Sequence, residues 1–279
     1  MVKKLFIILL LSIISVSAQV TTTVIYRYSE WFPKDLNIQP FTANFLEPRA
    51  GFSFFLGKKN LRLDIGTSED LYQMIDSNKV FSFGADVFTY TRLRSTKEFK
   101  FPVETVDYLF GLNVGYKIFD DNSEYGARLR VSHISAHLVD GQFDLNSYQW
   151  RDGTPFVFSR EYIELMPYYK YNELRMYAGL TYLFHTTPPG IGKGIFQLGF
   201  DYFYENVNLP FTPFAAYDFK LSKVNKYKGN NTIFAGIKFD NLSSKGLSIY
   251  YSYISGYSVH GELFYKTENY SSIGINLDF

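Results

Sequence analysis

Ile273-Gly274-Ile275-Asn276-Leu277-Asp278-Phe279 closes the chain, and its reading decides the fold. Ile273, Ile275, Leu277 and Phe279 share one face of an extended strand, and Ser272, Gly274, Asn276 and Asp278 share the other, a strict period of two. One face suits hydrocarbon and the other water. The same alternation sets Ile233, Ala235, Ile237 and Phe239 against Thr232, Phe234, Gly236 and Lys238. It recurs with Leu174, Met176, Ala178, Leu180 and Tyr182 against Arg175, Tyr177, Gly179 and Thr181. Soluble strands are mostly about 5 or 6 residues long, whereas strands that cross a membrane need about 9 to 11. Segments of this kind run over 49–57, 60–66, 79–93, 105–118, 124–138, 159–171, 174–185, 194–204, 213–222, 231–240, 246–255 and 270–279. That makes an even number of mostly long strands, as single-chain bacterial barrels have. The pattern predicts an all-β fold: a transmembrane antiparallel up-and-down β-barrel of about twelve strands over residues 49–279.

Composition agrees and excludes alternatives. The 279 residues carry 28 Lys plus Arg against 27 Asp plus Glu, a formal charge of +1, so there is no field to recruit nucleic acid. Charged residues are 20% of the chain, below the roughly 25% of soluble domains, while aromatics reach 19%. Many aromatics fall near segment ends, as in Tyr168, Tyr169 and Tyr171 or Tyr202, Phe203 and Tyr204, where interface girdles would sit. The absence of cysteine rules out disulfides, thiolate metal sites, a Cys nucleophile and a lipid anchor on an N-terminal Cys.

Residues 1–18 read as a secretory signal, with Lys3 and Lys4, an apolar stretch from Leu5 to Ile14 and the small-residue site Val16-Ser17-Ala18. The apolar run is about half of the roughly 20 residues that a spanning helix needs. Export through the inner membrane to the bacterial outer membrane, with integral insertion there, is the expected itinerary. Residues 19–48, with Pro33 and Pro40 and no clear strand, read as a periplasmic lead-in or a plug of the barrel mouth. Residues 67–78, with Leu71, Met74 and Ile75 at helical spacing, read as a long connection or short helix. Short turns at Asp120-Asp121-Asn122-Ser123 and Asn172-Glu173 put that end in the periplasm, and the long stretches 139–158 and 256–269 belong outside.

Two sets of side chains carry the functional expectations. On 124–138, Tyr125, Ala127, Leu129 and Val131 share the lipid face, so Arg128 and Arg130 point into the lumen, where Glu164, in phase with Arg160, Tyr162, Met166 and Tyr168, is the candidate partner. The set Arg128, Arg130, Arg160 and Glu164 is either a lumen-filling salt-bridge network or the lining of a channel for anions. Further along, His133, Ser135 and His137 continue the lipid-facing phase. A Ser flanked by a His at each second residue has its hydroxyl within reach of an imidazole base, and Glu161, outward on the next strand, is the carboxylate that could orient it. The bland alternative is a polar collar at the headgroup boundary. His185 and His260 fall in expected outer loops, no group has metal-ligand spacing, and no cofactor is expected.

Phe279, preceded at steps of two by Leu277, Ile275 and Ile273, resembles the C-terminal assembly signal of outer-membrane barrels, which implies the barrel-assembly machinery as a partner. The His133-Ile134-Ser135 stretch resembles part of the outer-membrane phospholipase A site; that family uses a Ser, a His and an Asn with calcium. Here Ala136-His137 stand where that family has Asn-Gly, and Ile163 stands at its orienting Asn. Glu47-Pro48-Arg49, His133 to Asp140, and Ser159-Arg160-Glu161-Tyr162 resemble an uncharacterised bacterial family of outer-membrane barrels, domain of unknown function 1207. That resemblance implies a barrel and supplies no activity. The expected role is therefore structural, binding or narrow transport, in contact with outer-membrane lipids and lipopolysaccharide. The other reading is a lipid acyl-ester hydrolase of the phospholipase A or lipopolysaccharide-deacylase kind that uses Ser135, His133, His137 and Glu161, with calcium entering only there.

Overall fold

The computed structural model describes residues 27–205, 208–239 and 246–278. The signal reading of residues 1–18 and Phe279 of the assembly signal lie outside these. In chain order the strands are β1 (Arg27–Trp31), β2 (Ala50–Phe55), β3 (Asn60–Asp76), β4 (Lys79–Arg94), β5 (Val103–Phe119) and β6 (Ser123–Leu138). A small hairpin, β7 (Phe143–Asp144) and β8 (Gln149–Trp150), lies in the long loop that follows. Then come β9 (Phe158–Tyr171), β10 (Leu174–Thr187), β11 (Gly194–Phe203), β12 (Thr212–Lys223), β13 (Tyr227–Phe239), β14 (Gly246–Tyr257) and β15 (Thr267–Asp278). β2 to β6 and β9 to β15 form a closed wall of twelve antiparallel strands, each beside its sequence neighbour, with β15 paired to β2. Closure is what the environment demands, because a lipid-facing sheet has no water to satisfy the hydrogen bonds of an open edge.

The register explains the strand lengths. Leu61 of β3 pairs with Phe54, Phe54 with Ile273, Ile273 with Tyr251, Tyr251 with Ala235 and Ala235 with Ala215. Ala215 pairs with Tyr202, Tyr202 with Leu174, Leu174 with Tyr171 and Tyr171 with Ser123. From there the line runs to the turn beyond Asp76 at the far end of β3, where Asp120 N donates to Ser123 O at 2.8 Å and Phe119 N to Asn78 O at 3.0 Å. Such a stagger is what tilts the strands of a barrel. It also accounts for residues 67–78, expected to be a connection or helix: 67–76 complete β3, paired with β4 across a bulge between Asp70 and Tyr72. The helical spacing of Leu71, Met74 and Ile75 arises where that bulge shifts the side-chain phase.

The edge of β3 that faces β2 is only partly covered. β2 pairs from Gly51 to Phe54 with Leu61–Asp64, and β1 pairs with Tyr72–Asp76, so the expectation of no strand before residue 48 fails at Arg27–Trp31. Between them the chain leaves the wall at Pro48, whose missing N–H cannot serve a ladder, and runs inward. Phe41, Ala43, Asn44 and Glu47 are buried, and Asn44 and Glu47 are bonded to inward residues of the strands. Gly115 on β5 makes room for this segment: a Cβ there would sit 3.0 Å from Ile38 Cδ1 and 3.2 Å from Asn37 Nδ2.

The outer surface is apolar all round: Phe110, Leu112, Leu129, Val131, Leu165, Leu180, Leu198, Ile273 and Leu277 are all exposed. Near the end that carries the β5–β6 and β9–β10 turns, Tyr116, Tyr125, Tyr169, Tyr171, Tyr202 and Tyr204 are exposed as a girdle, whereas Tyr168 and Phe203, grouped with them in the sequence, are buried inside. The lumen holds the charge: Arg62, Asp64, Asp86, Arg128, Arg130, Glu164, Arg175, Asp201, Asp218 and Lys220 are all buried.

The closed wall should keep the unheated protein compact in detergent, so that it runs ahead of the boiled chain on an SDS gel; equal mobility would contradict closure. Leu129, outward near the middle of β6, supplies a second measure. Leu129→Lys should lower stability by about 2–4 kcal/mol in urea titrations from lipid vesicles, the cost of a charge facing the bilayer centre.

Candidate functional site

The lumen is organised around a clamp on the inward segment. Arg130 lies directly across from Glu164 in the β6–β9 register and donates to it at 2.7 Å. Arg128 faces Met166 instead, and its guanidinium reaches toward the axis. There it grips Glu47 with two hydrogen bonds, Nη1 to Oε2 at 2.8 Å and Nη2 to Oε1. Such a fork is the strong form of this contact. Glu164 lies 3.8 Å from Arg128, a secondary interaction. The expected pairing of Glu164 therefore holds for Arg130, while Arg128 takes a carboxylate from outside the barrel strands.

Phe41 sits between two cations, 5.1 Å from the Arg128 Cζ and 4.7 Å from that of Arg175, with the Tyr177 ring at 4.5 Å. The guanidinium of Arg175 pairs with Asp201 and also donates to the carbonyls of Gln39 at 2.8 Å and Pro40 at 2.6 Å. Thr42 N donates to Asp201 at 3.1 Å, Asn37 N to Asp70 at 2.7 Å, and Lys220 Nζ to Asn44 Oδ1 at 2.7 Å. With Asn37 Nδ2 also donating to Ser82 Oγ of β4 at 3.1 Å, six barrel strands hold residues 37–47 in place. Arg160, expected in this network, stands apart: it makes no described hydrogen bond or ion pair and lies 4.8 Å over the Phe158 ring.

The loop end is tied down in the same way. Asp152, in the loop after β8, accepts from Lys266 Nζ at 2.5 Å, Arg92 Nη2 at 2.7 Å and Gln142 Nε2 at 2.8 Å. Burial alone would raise its carboxyl, but these donors outweigh burial and hold it below the usual Asp value. Glu262 accepts from the backbone of Leu138 at 2.8 Å and Phe156 at 2.9 Å, and His260 Nδ1 donates to Asp107 at 2.8 Å. His260, expected to stand alone in a loop, is therefore a buried anchor of that loop.

On the outside of the wall two of the polar residues expected on the lipid phase, His133 and Glu161, converge, while Ser135 and His137 make no described hydrogen bond to them. The carboxylate of Glu161 accepts from His133 Nδ1 at 2.6 Å, from Ser159 Oγ at 2.6 Å and from His185 Nδ1. His185 belongs to β10, not to a loop, and a bulge between Leu183 and His185 brings it opposite Glu161. Sequence reasoning missed it because the bulge breaks the period of two just before it. Ser135 lies across from Tyr108 and Ser159 in the ladders, and its hydroxyl makes no described hydrogen bond to either histidine. The ring of His137 stands 6.2 Å from that of Tyr108. The hydroxyl held at the carboxylate is that of Ser159. Among the described residues no group of His, Asp and Glu is arranged to hold a metal ion.

Replacing Glu47 with Gln removes the carboxylate that two buried arginines face. It should destabilise the barrel by about 3–5 kcal/mol, the cost of an uncompensated buried charge, as read from the urea midpoint. A change under about 1 kcal/mol would show that the clamp is incidental.

Comparison with solved structures finds distant similarities. The beta domain of the Bordetella autotransporter BrkA is 13% identical, covering 82% of this chain and 97% of its own, at a TM-score of 0.41. OccAB3 of Acinetobacter baumannii is 7% identical, covering 79% of this chain and 74% of its own, at 0.35. The translocator domain of the autotransporter NalP from Neisseria meningitidis is 8% identical, covering 82% and 77%, at 0.23. No curated protein matches the sequence. A family profile described as protein of unknown function (DUF1207) matches residues 106–279, from β5 to the C-terminus, and so takes in the His133 and Glu161 motifs but not Glu47-Pro48-Arg49. That stretch is more than half of the chain, and the protein belongs to the DUF1207 family.

Proposed function

We propose that the chain is exported behind the signal of residues 1–18 and inserts in the bacterial outer membrane as an integral barrel whose lumen its own residues 33–49 close. Its role is then structural or binding, with at most narrow transport. The observation that carries this reading is the Arg128–Glu47–Phe41–Arg175 stack, which sets buried side chains of the inward segment between those of the barrel strands. The apolar belt would meet outer-membrane lipids and lipopolysaccharide, and Ile273, Ile275 and Leu277, with Phe279, would serve the barrel-assembly machinery.

In planar bilayers the wild-type protein should give small, infrequent currents, and deletion of residues 33–47 should give steady channels severalfold larger. Large stable currents from the wild type would overturn the plugged reading.

The outward cluster of His133, Glu161 and His185 fits a collar at the headgroup level. Three polar groups on a lipid-facing surface cost free energy unless they bond to one another or to headgroups, and here the carboxylate is shared by two imidazoles and a hydroxyl. The hydrolase reading needs the Ser135 hydroxyl on an imidazole, and the contacts favour Ser159 on the carboxylate instead. Incubation with labelled phospholipid or lipopolysaccharide, with and without calcium, should release no fatty acid. Release that Ser135→Ala abolishes would restore the hydrolase reading.

A further inference from the structure

The loop-end half of the lumen, beyond the Glu47 clamp, encloses a cavity of about 70 Å³. Its wall is apolar: Tyr90, Ile134, Phe158 and Leu183 belong to one buried cluster, and Ile191 and Phe264 close it from the loops. Three cations line it, Arg160 from β9 and Lys220 and Lys223 from β12, of which Lys223 lies at the exposed end of its strand.

Arg160 is the unusual one. Among the arginines that the barrel strands turn inward, Arg62 has Asp64, Arg92 has Glu104, Arg128 has Glu47, Arg130 has Glu164 and Arg175 has Asp201, while Arg49 of the inward segment donates to the carbonyls of Thr42 and Asn44. Arg160 has no described acceptor, and its Nε is buried without a partner. The carboxylates nearby are taken. Glu164, the acidic residue lining the cavity, accepts from Arg130 at 2.7 Å, and Asp107 accepts from His260 Nδ1 at 2.8 Å and from Gly261 N at 2.6 Å. A half-buried guanidinium whose Nε is shut off from water and unpaired is costly unless something accepts from it. The cavity therefore combines an excess of positive charge with an oily wall, which is complementary to a small anion that has an apolar body.

We propose that this cavity binds a small amphipathic organic acid, with its carboxylate on the guanidinium fork of Arg160, assisted by the Lys220 ammonium, and its apolar body against Phe158 and Leu183. The fork of arginine matches a carboxylate in two parallel hydrogen bonds. Since a single water needs about 10–15 Å³ of such space, a cavity of about 70 Å³ suits a molecule on the scale of benzoic acid. This site lies inside the wall, away from the outward Glu161 cluster, and does not depend on whether the lumen conducts.

The test uses the full barrel in lipid nanodiscs, titrated calorimetrically with benzoate, with its neutral isostere benzyl alcohol and with inorganic phosphate. Benzoate should bind saturably at one per barrel, and the other two at least about tenfold more weakly, as loss of a charge-assisted pair or of apolar contact implies. Arg160→Gln should weaken benzoate by about tenfold or more, and Leu183→Trp, which fills the cavity but keeps Arg160 and Lys220, should remove it. Equal binding of benzyl alcohol, or unchanged affinity in Leu183→Trp, would overturn the site. Phosphate binding as tight as benzoate would overturn the amphipathic part. The heat-induced gel shift certifies that each variant is folded, and where Arg160→Gln fails that check the three probes on the wild type decide.

Discussion

Every backbone N–H and C=O in a wall that faces lipid must find its partner within that wall. From this constraint follows the closure of β15 onto β2, and closure in turn requires the stagger that carries the ladder along β3. It also fixes where side chains go. With strands closed into a cylinder, the period of two divides residues between hydrocarbon and lumen, and a one-residue slip would turn Arg128 and Arg130 of β6 toward hydrocarbon and Leu129 and Val131 into the lumen. The bulges at Asp70–Tyr72 and Leu183–His185 are local exceptions, and each re-aims residues without opening the wall.

Once the charges are inside, they need one another. Asp86, Arg128, Arg130, Glu164, Arg175 and Asp201 are all buried, where a charge is costly without a close partner, and not all of their partners come from the wall. Glu47 and the carbonyls of Gln39 and Pro40 come from the inward segment, so that segment completes the electrostatics of the barrel strands. Phe41 between Arg128 and Arg175 lets two like charges approach one site with an electron-rich ring between them.

The wall was legible in the sequence because a residue's side of the sheet depends only on the parity of its position. That local rule located twelve strands and put Arg128, Arg130 and Glu164 in the lumen. It failed where parity is interrupted: at the bulge within β3, which imitated helical spacing, and at His185, which looked like a loop residue. It also failed where structure has no period at all. Glu47 lies in a stretch between Pro33 and Pro48 whose conformation is set by the cavity around it, so nothing in the sequence links it to Arg128. The convergence of His133 with Glu161 was accessible because both sit on outward phases of adjacent strands. The identity of the hydroxyl was not, because Ser135 and Ser159 lie opposite each other in the β6–β9 ladder and parity cannot distinguish them.

β9 shows how much chemistry the same parity can separate. Over five consecutive residues Phe158, Arg160 and Tyr162 turn inward while Ser159 and Glu161 turn outward. A guanidinium without a carboxylate thus stands beside a carboxylate that serves two histidines, yet the two do not pair, because the strand holds their side chains on opposite faces of the wall. In a helix bundle neighbours in sequence could swing together and neutralise each other. In a closed sheet they cannot, so Arg160 keeps its charge for the cavity and Glu161 keeps its own for the membrane boundary.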